Sequence, residues 1–281
     1  MTRFRAERGV ALAATLHDAS GALRGTIRRH LPALRALYGA ITVTTSPPTH
    51  ASVQALLAEL GVHGGTPRTN ARGPLYRLAL RRALASGAPS IHYLDFDRAL
   101  HWVETRPREL AAVLRLATRF PAVLLGRTVA AHRSHHRALF ETECAANRAL
   151  AARLGTRRRV DLLVPSFLLS RPLTRALVRR SRARDASLYG EWPALLATLG
   201  EPLVYHECRG LDWETPDRAR AAVRRLGLVA WRCRFDTPAE WRLREAMAGE
   251  FLRGCDAALA RSASTVGRRP RLRLRRQAGR A

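Results

Sequence analysis

An α/β fold, a mostly parallel central sheet flanked by helices with a helical C-terminal region, follows from three features of this sequence. Short aliphatic or β-branched runs alternate with segments whose apolar residues recur every three or four positions, the pattern of strands and helices taking turns. The 281 residues are enough for one large core. One short run, Ser90-Ile91-His92-Tyr93-Leu94, ends abruptly in two carboxylates one residue apart, Asp95 and Asp97. In open α/β sheets ligands bind at the carboxyl ends of strands, so chemistry is expected there.

The elements can be justified in order. Val10–Leu16 reads as a first strand, and His17-Asp18-Ala19-Ser20-Gly21 as the break after it. Leu23, Ile27, Leu31, Leu34 and Leu37 form one helix face, with Pro32 predicting a kink or restart. Ile41–Ser46 is a second strand closed by Pro47-Pro48. Val53, Leu56, Leu57 and Leu60 mark a helix stopped by Gly61. A brief third strand is expected near Val62, then a loop through Gly64-Gly65 and Asn70–Gly73. Leu75, Leu78, Leu80 and Leu84 run along a helix ending at Gly87, ahead of the acidic strand. Beyond it we expect a helix over Glu109–Leu116, a strand over Ala122–Leu125 and a long helix over Arg137–Leu154. A strand over Asp161–Ser170 and a helix over Pro172–Arg182 follow. Gly190-Glu191-Trp192-Pro193 opens a helix ending at Gly200, Pro202–Glu207 is a strand, and Asp217–Leu226 and Pro238–Leu259 are late helices. The expected domain is 1–259. Residues 260–281 carry eight arginines and no acid from Arg261 onward, and are expected to be a disordered basic tail.

Charge narrows the partners. The 49 basic residues against 22 acidic ones give +27, and every basic residue is an arginine. Arginine grips phosphate in bidentate fashion, so phosphorylated substrates, nucleic acid and anionic membrane are all compatible. The absence of lysine removes the P-loop nucleotidases, whose phosphates need one. Cys144, Cys208, Cys233 and Cys255 have no CxxC spacing and are expected to be reduced, which with no signal-like or membrane-spanning run predicts a cytoplasmic protein.

Carboxylates at i and i+2 of an extended segment point the same way, so Asp95 and Asp97 can converge on one hard cation, and a divalent cation there would hold a diphosphate. The competing explanation is a pair of acids capping a strand end. Arg98 and Arg127 both follow strands and could hold phosphate. His132, His135 and His136 are expected to be solvated helix residues, since no further zinc ligand lies nearby in sequence.

With this order of elements the chain resembles glycosyltransferases of the GT-A (Rossmann-like) fold, family 2-like and divergent. The resemblance covers about residues 8–210 and rests on the order and spacing of elements. It implies a metal-dependent enzyme moving a sugar from a nucleotide-diphospho-sugar donor to an unknown acceptor. Asp95 and Asp97 match the family's DxD motif, which binds Mg²⁺ or Mn²⁺ and the donor diphosphate. Asn70, Gly73 and Arg77 are similar to its Asn-Gly loop and Arg-bearing helix, giving Asn70 and Arg77 donor contacts. Glu191-Trp192 looks like the acidic catalytic segment, which makes Glu191 the candidate base and Trp192 a surface for a sugar ring. The resemblance offers His206 as a third metal ligand. Three departures stand out: Gly190-Glu191 replaces a Glu-Asp pair, Thr45-Ser46-Pro47-Pro48 replaces an acidic turn, and the terminal QxxRW motif is missing. For Glu191 the alternative role is an acid favourably placed near a helix N-terminus. Trp213-Glu214-Thr215 either shapes the acceptor side or packs on the core.

Two other classes compete. A haloacid-dehalogenase-type phosphatase also uses a strand-end DxD, but Ala99 stands where Thr or Val is usual and its lysine is missing. A basic nucleic-acid-binding protein would explain the charge, yet no helix-turn-helix, zinc-finger or stacked-aromatic motif is present. The Arg-rich tail is the expected place for peripheral contact with an anionic membrane.

Overall fold

A computed structural model describes residues 7–201, 203–266, 272 and 274–275 of the chain. Its strands are β1 (Glu7–Leu16), β2 (Tyr38–Thr45), β3 (Ser90–Tyr93), β4 (Ala122–Arg127), β5 (Phe167–Ser170), β6 (Leu203–Cys208) and β7 (Leu274–Arg275). They form one sheet in the order β2-β1-β3-β5-β4-β6-β7. Every pairing is parallel except those of β5, which runs antiparallel between β3 and β4. The expected α/β, mostly parallel sheet is therefore what the chain builds. The short third strand reduces to a single parallel bridge, Val43 to His63.

Helices α1 (Arg24–Arg35), α2 (Ala51–Glu59), α4 (Phe96–Thr105) and α5 (Pro107–Leu114) cover one face. The other carries α3 (Arg72–Ala85), α7 (Arg137–Arg153), α8 (Arg171–Arg180), α9 (Leu188–Thr198) and α12 (Pro238–Val266). The short α6 (Val129–Arg133), α10 (Arg220–Leu226) and α11 (Leu228–Cys233) complete the helices among the described residues. Successive strand residues point to opposite faces, and the two cores divide accordingly. Leu12, Val123 and Val204 enter one core, while Ala13, Leu124 and Leu203 enter the other.

Three local expectations need correction. Only Phe167–Ser170 of the expected 161–170 strand is extended, because Asp161 turns inward to pair with Arg127. The segment after β3 is not extended through Asp97. Asp95 is the extended residue capping α4, and Asp97 already lies in its first turn. The late helix also runs past its expected end at Leu259, to Val266. Leu272 is buried and its amide donates to Leu154 O, and β7 pairs with the edge of β6. The remaining tail residues lie outside the described ones.

Close helix packing explains Gly190. A Cβ there would stand 1.8 Å from the Phe251 carbonyl oxygen, and one at Gly254 would stand 1.9 Å from that of Ser187. Helices α9 and α12 approach through these two glycines, so no acid fits at 190.

Candidate active site

β1 lies between β2 and β3, with the β1–β2 connection (α1) on one face and α3, leading into β3, on the other, which opens a crevice at the carboxyl ends of β1 and β3. A cleft of ≈ 370 Å³ occupies it. Asp95 and Asp97 form its floor beside Thr15, Tyr76 and Tyr189 form a wall, and Asn70, Arg72 and Arg218 stand around it.

Thr15 Oγ1 donates to Asp95 Oδ1 at 2.8 Å, and Tyr93 OH donates to the same oxygen at 3.4 Å. Both hydrogen bonds fall on Oδ1. Among the described residues Oδ2 has only Arg98 Nε, at 3.8 Å. Burial, then the neighbouring Asp97 charge, push the Asp95 carboxyl up to about 6, against the pull of Arg98 and Thr15. Asp97 accepts the Arg98 amide at 2.9 Å on Oδ1 and Arg218 Nη2 at 2.5 Å on Oδ2. Arg218 also donates to the His17 carbonyl, which ties the segment after β6 to the end of β1.

Behind the two aspartates is a third acid. Glu214 is 8 % exposed, and its Oε1 lies 3.6 Å from Arg98 Nη2. Burial raises its carboxyl, against the pull of Arg98 and with help from Asp97. Glu214 Oε2 and Arg98 Nη1 are buried without hydrogen-bond partners among the described residues. Trp213 beside it packs inward, 5.2 Å from Trp231 between ring centroids.

The structure brings Asn70, Asp95 and Asp97 to one cleft and leaves the other three candidates out of it. Arg77 donates to Ala183 O at 2.6 Å and Ser181 Oγ at 3.3 Å. It is rotated by one helical step from Tyr76, whereas Arg72 and Tyr76, four residues apart, share the cleft face. Glu191 is 2 % exposed and accepts Ser181 Oγ at 2.6 Å, the Arg182 amide at 2.7 Å and Arg261 Nη2 at 2.6 Å. It closes the turn after α8 and does not face the cleft, as its alternative role near a helix N-terminus would have it. Trp192 is likewise buried, donating to Ser181 Oγ at 3.1 Å, so Tyr189 and not Trp192 lines the cleft. His206, on β6, pairs in register with Leu125 on β4. Three strand steps of about 4.8 Å separate β6 from β3, so His206 cannot complete a metal site with Asp95.

Two other expectations change. Arg127 is not open to phosphate: it is buried and bound to both Asp161 and Glu143. Burial works against its charge, but the two acids outweigh burial and fix it. His132, His135 and His136 are buried, not solvated, and pack against Phe140, Trp213 and Phe235.

Arg72, Tyr76, Tyr189 and Arg218 were not singled out from the sequence as ligand contacts. Tyr76 and Arg72 had a signal, since they lie four apart on the helix that follows Asn70. Arg218 had none: 121 residues separate it from Asp97.

No family model and no curated protein matches the chain. Among solved structures it is similar to glucosyl-3-phosphoglycerate synthase from Mycobacterium tuberculosis. The complex of that enzyme with Mn²⁺, UDP-glucose and phosphoglyceric acid is 16 % identical at a TM-score of 0.45, over 89 % of this chain and 80 % of that one. Its complex with Mn²⁺, UDP and phosphoglyceric acid gives 16 % and 0.45, over 81 % and 79 %. The UDP complex gives 16 % and 0.42, over 80 % and 68 %. Similarity at this level bears on neither substrate nor mechanism.

Proposed function

We propose that this protein is a metal-dependent glycosyltransferase of GT-A type that takes its sugar from a nucleotide-diphosphate donor. The observation that supports it is the pair Asp95 and Asp97 at the β1/β3 crevice, with Arg72 and Arg218 lining the same cleft. Carboxylates and guanidinium groups around one cleft suit a ligand that is itself a metal–diphosphate pair.

The donor set fits Mg²⁺ or Mn²⁺. Asp95 Oδ2 receives no hydrogen bond among the described residues, and burial and the Asp97 charge beside it already disfavour the ionised Asp95 carboxylate. No group of three His, Cys, Asp or Glu side chains that could hold a metal is found among the described residues. One or two carboxylates supplemented by phosphate oxygens and water is the usual setting of Mg²⁺. Asp95 and Asp97 would hold the ion, which when bound neutralises the charge developing on the leaving diphosphate.

The chain's own groups do the rest. Thr15 and Tyr93 fix the Asp95 carboxylate from behind, and Arg98 balances the charge beneath the floor. Arg72 and Arg218 hold the phosphates from either side. Tyr76 and Tyr189, linked through their hydroxyls at 2.9 Å with their rings edge to face at 80°, offer an aromatic, polar-edged corner to the sugar or base. Asn70 contacts the donor from the rim. The acceptor is unassigned.

Thermal shift and calorimetric titration with UDP- and GDP-sugars, with and without Mn²⁺, test this function. Donor binding should require the metal, and Asp97→Ala should abolish it with the fold intact. Arg218→Ala should weaken donor binding by roughly tenfold to a hundredfold, as expected for a lost hydrogen bond to a charged group. Metal-independent donor binding that survives Asp97→Ala would refute the assignment.

A further inference from the structure

Four large apolar side chains are exposed among the described residues, and three lie within four positions: Leu226 (40 %), Leu228 (49 %) and Val229 (66 %). They belong to a run, residues 224–230, in which every residue is exposed. The run is the junction of α10 and α11, turned at Gly227 with φ of 78°, a conformation open to glycine. Its base is well held. Arg220 at the start of α10 is bound to Glu104 and lies 3.2 Å from Asp217. Trp231 in α11 is buried against Trp213 and Phe235. Among the described residues the tip between these anchors makes no packing that would explain its leucines and valine.

The charge around the tip is of one sign. Between Asp217 and Asp236 the chain has no acid, and Arg224, Arg225, Arg232 and Arg234 flank the apolar residues. Aliphatic side chains at a tip, ringed by arginines, are the composition of segments that lie in the interface of a bilayer. A protein pocket more often receives an aromatic or hydrogen-bonding anchor, and residues 226–230 contain neither.

We propose that the α10–α11 tip docks the protein on an anionic lipid surface, with Leu226, Leu228 and Val229 entering the acyl boundary and the flanking arginines pairing with acidic headgroups. This is independent of the sugar-transfer assignment, and donor binding measured alongside keeps the two separate. The docking segment nevertheless continues directly from Arg218 on the cleft wall. Helix α10 has seven residues and so spans about 10 Å, which sets the tip that far from its Arg220 anchor.

Co-sedimentation of the full chain with phosphatidylglycerol-containing vesicles and with pure phosphatidylcholine vesicles, at low and raised salt, tests the proposal. Binding should be confined to the anionic vesicles and weaken with salt. The double variant L228S/V229S should cut partitioning by about tenfold or more, and R224S/R225S should remove much of its salt dependence. Val229→Asp provides a second apolar variant. All are surface changes, so an unchanged melting temperature verifies the fold. A full-length R268S/R269S chain controls for the basic tail. Anionic-vesicle binding that L228S/V229S and Val229→Asp leave at the wild-type level, or that R268S/R269S alone abolishes, overturns the proposal. So does absence of vesicle binding at low salt, which would point to a protein partner instead.

Discussion

Glu191 lies two residues past Tyr189 on α9, and about 200° of helix rotation separates a cleft-lining phenol from a carboxylate turned into the core. Its oxygens are fully engaged by Ser181, the amides of Arg182 and Ala183, and Arg261. Replacing it with glutamine keeps the shape but substitutes a donor for an acceptor facing those amides. Hydrogen bonds to a charged group contribute about 1.5–3 kcal/mol, so Glu191→Gln should lower the melting temperature by several degrees. Turnover at a temperature where the variant is folded should stay near wild type. A large fall in kcat with unchanged melting would return Glu191 to the chemistry.

At the scale of elements, α9 and α12 meet through Gly190 and Gly254, each set against a backbone carbonyl that cannot move aside as a side-chain tip could. Gly190→Ala should force the helices apart and cost about 3 kcal/mol, read as a shift in the urea midpoint. Because α9 carries Tyr189, donor affinity should drop as well. A variant of unchanged stability would mean that the two helices are not packed through Gly190. The same contact accounts for the glycine found where the resembling enzymes place an acid.

Across the whole molecule, the helix bearing Asp97 is tied to the segment bearing Arg218 by Arg218 and Arg220, and also by a histidine. His101 Nδ1 lies 2.7 Å from Asp217 Oδ2 and Nε2 lies 3.0 Å from Asp212 Oδ1, so both ring nitrogens donate and the ring is an imidazolium. Burial lowers its pKa, but the two carboxylates outweigh burial and raise it to about 9. With the folded value above the unfolded 6.5, this strap's stabilisation is complete below pH 6.5 and is lost as pH rises through about 9. The shift corresponds to about 3 kcal/mol. Melting temperature should therefore fall between neutral pH and pH of about 9, and His101→Gln should flatten that dependence. A wild-type profile that is flat over this window would show that His101 is not the charged strap. The described helices include none long and apolar enough to cross a membrane.

The sequence by itself determined the alternation of strands and helices, because apolar periodicity records which face each element buries, and burial is the largest local demand on residue choice. It also delivered Asp95 and Asp97, since two acids one residue apart at the end of an apolar run are costly unless they have a use. Only the tertiary structure decided which neighbours complete the cleft. Arg72 and Arg77 look alike in sequence, and Tyr189 and Glu191 are two residues apart. Rotation about a helix axis, fixed by packing against α8 and α12, turns one of each pair to the cleft and the other to the interior. His206 was excluded by strand order, which places β5 and β4 between its strand and β3. Arg218 reaches Asp97 across 121 residues, a contact set by how the chain returns over the sheet and by no local pattern.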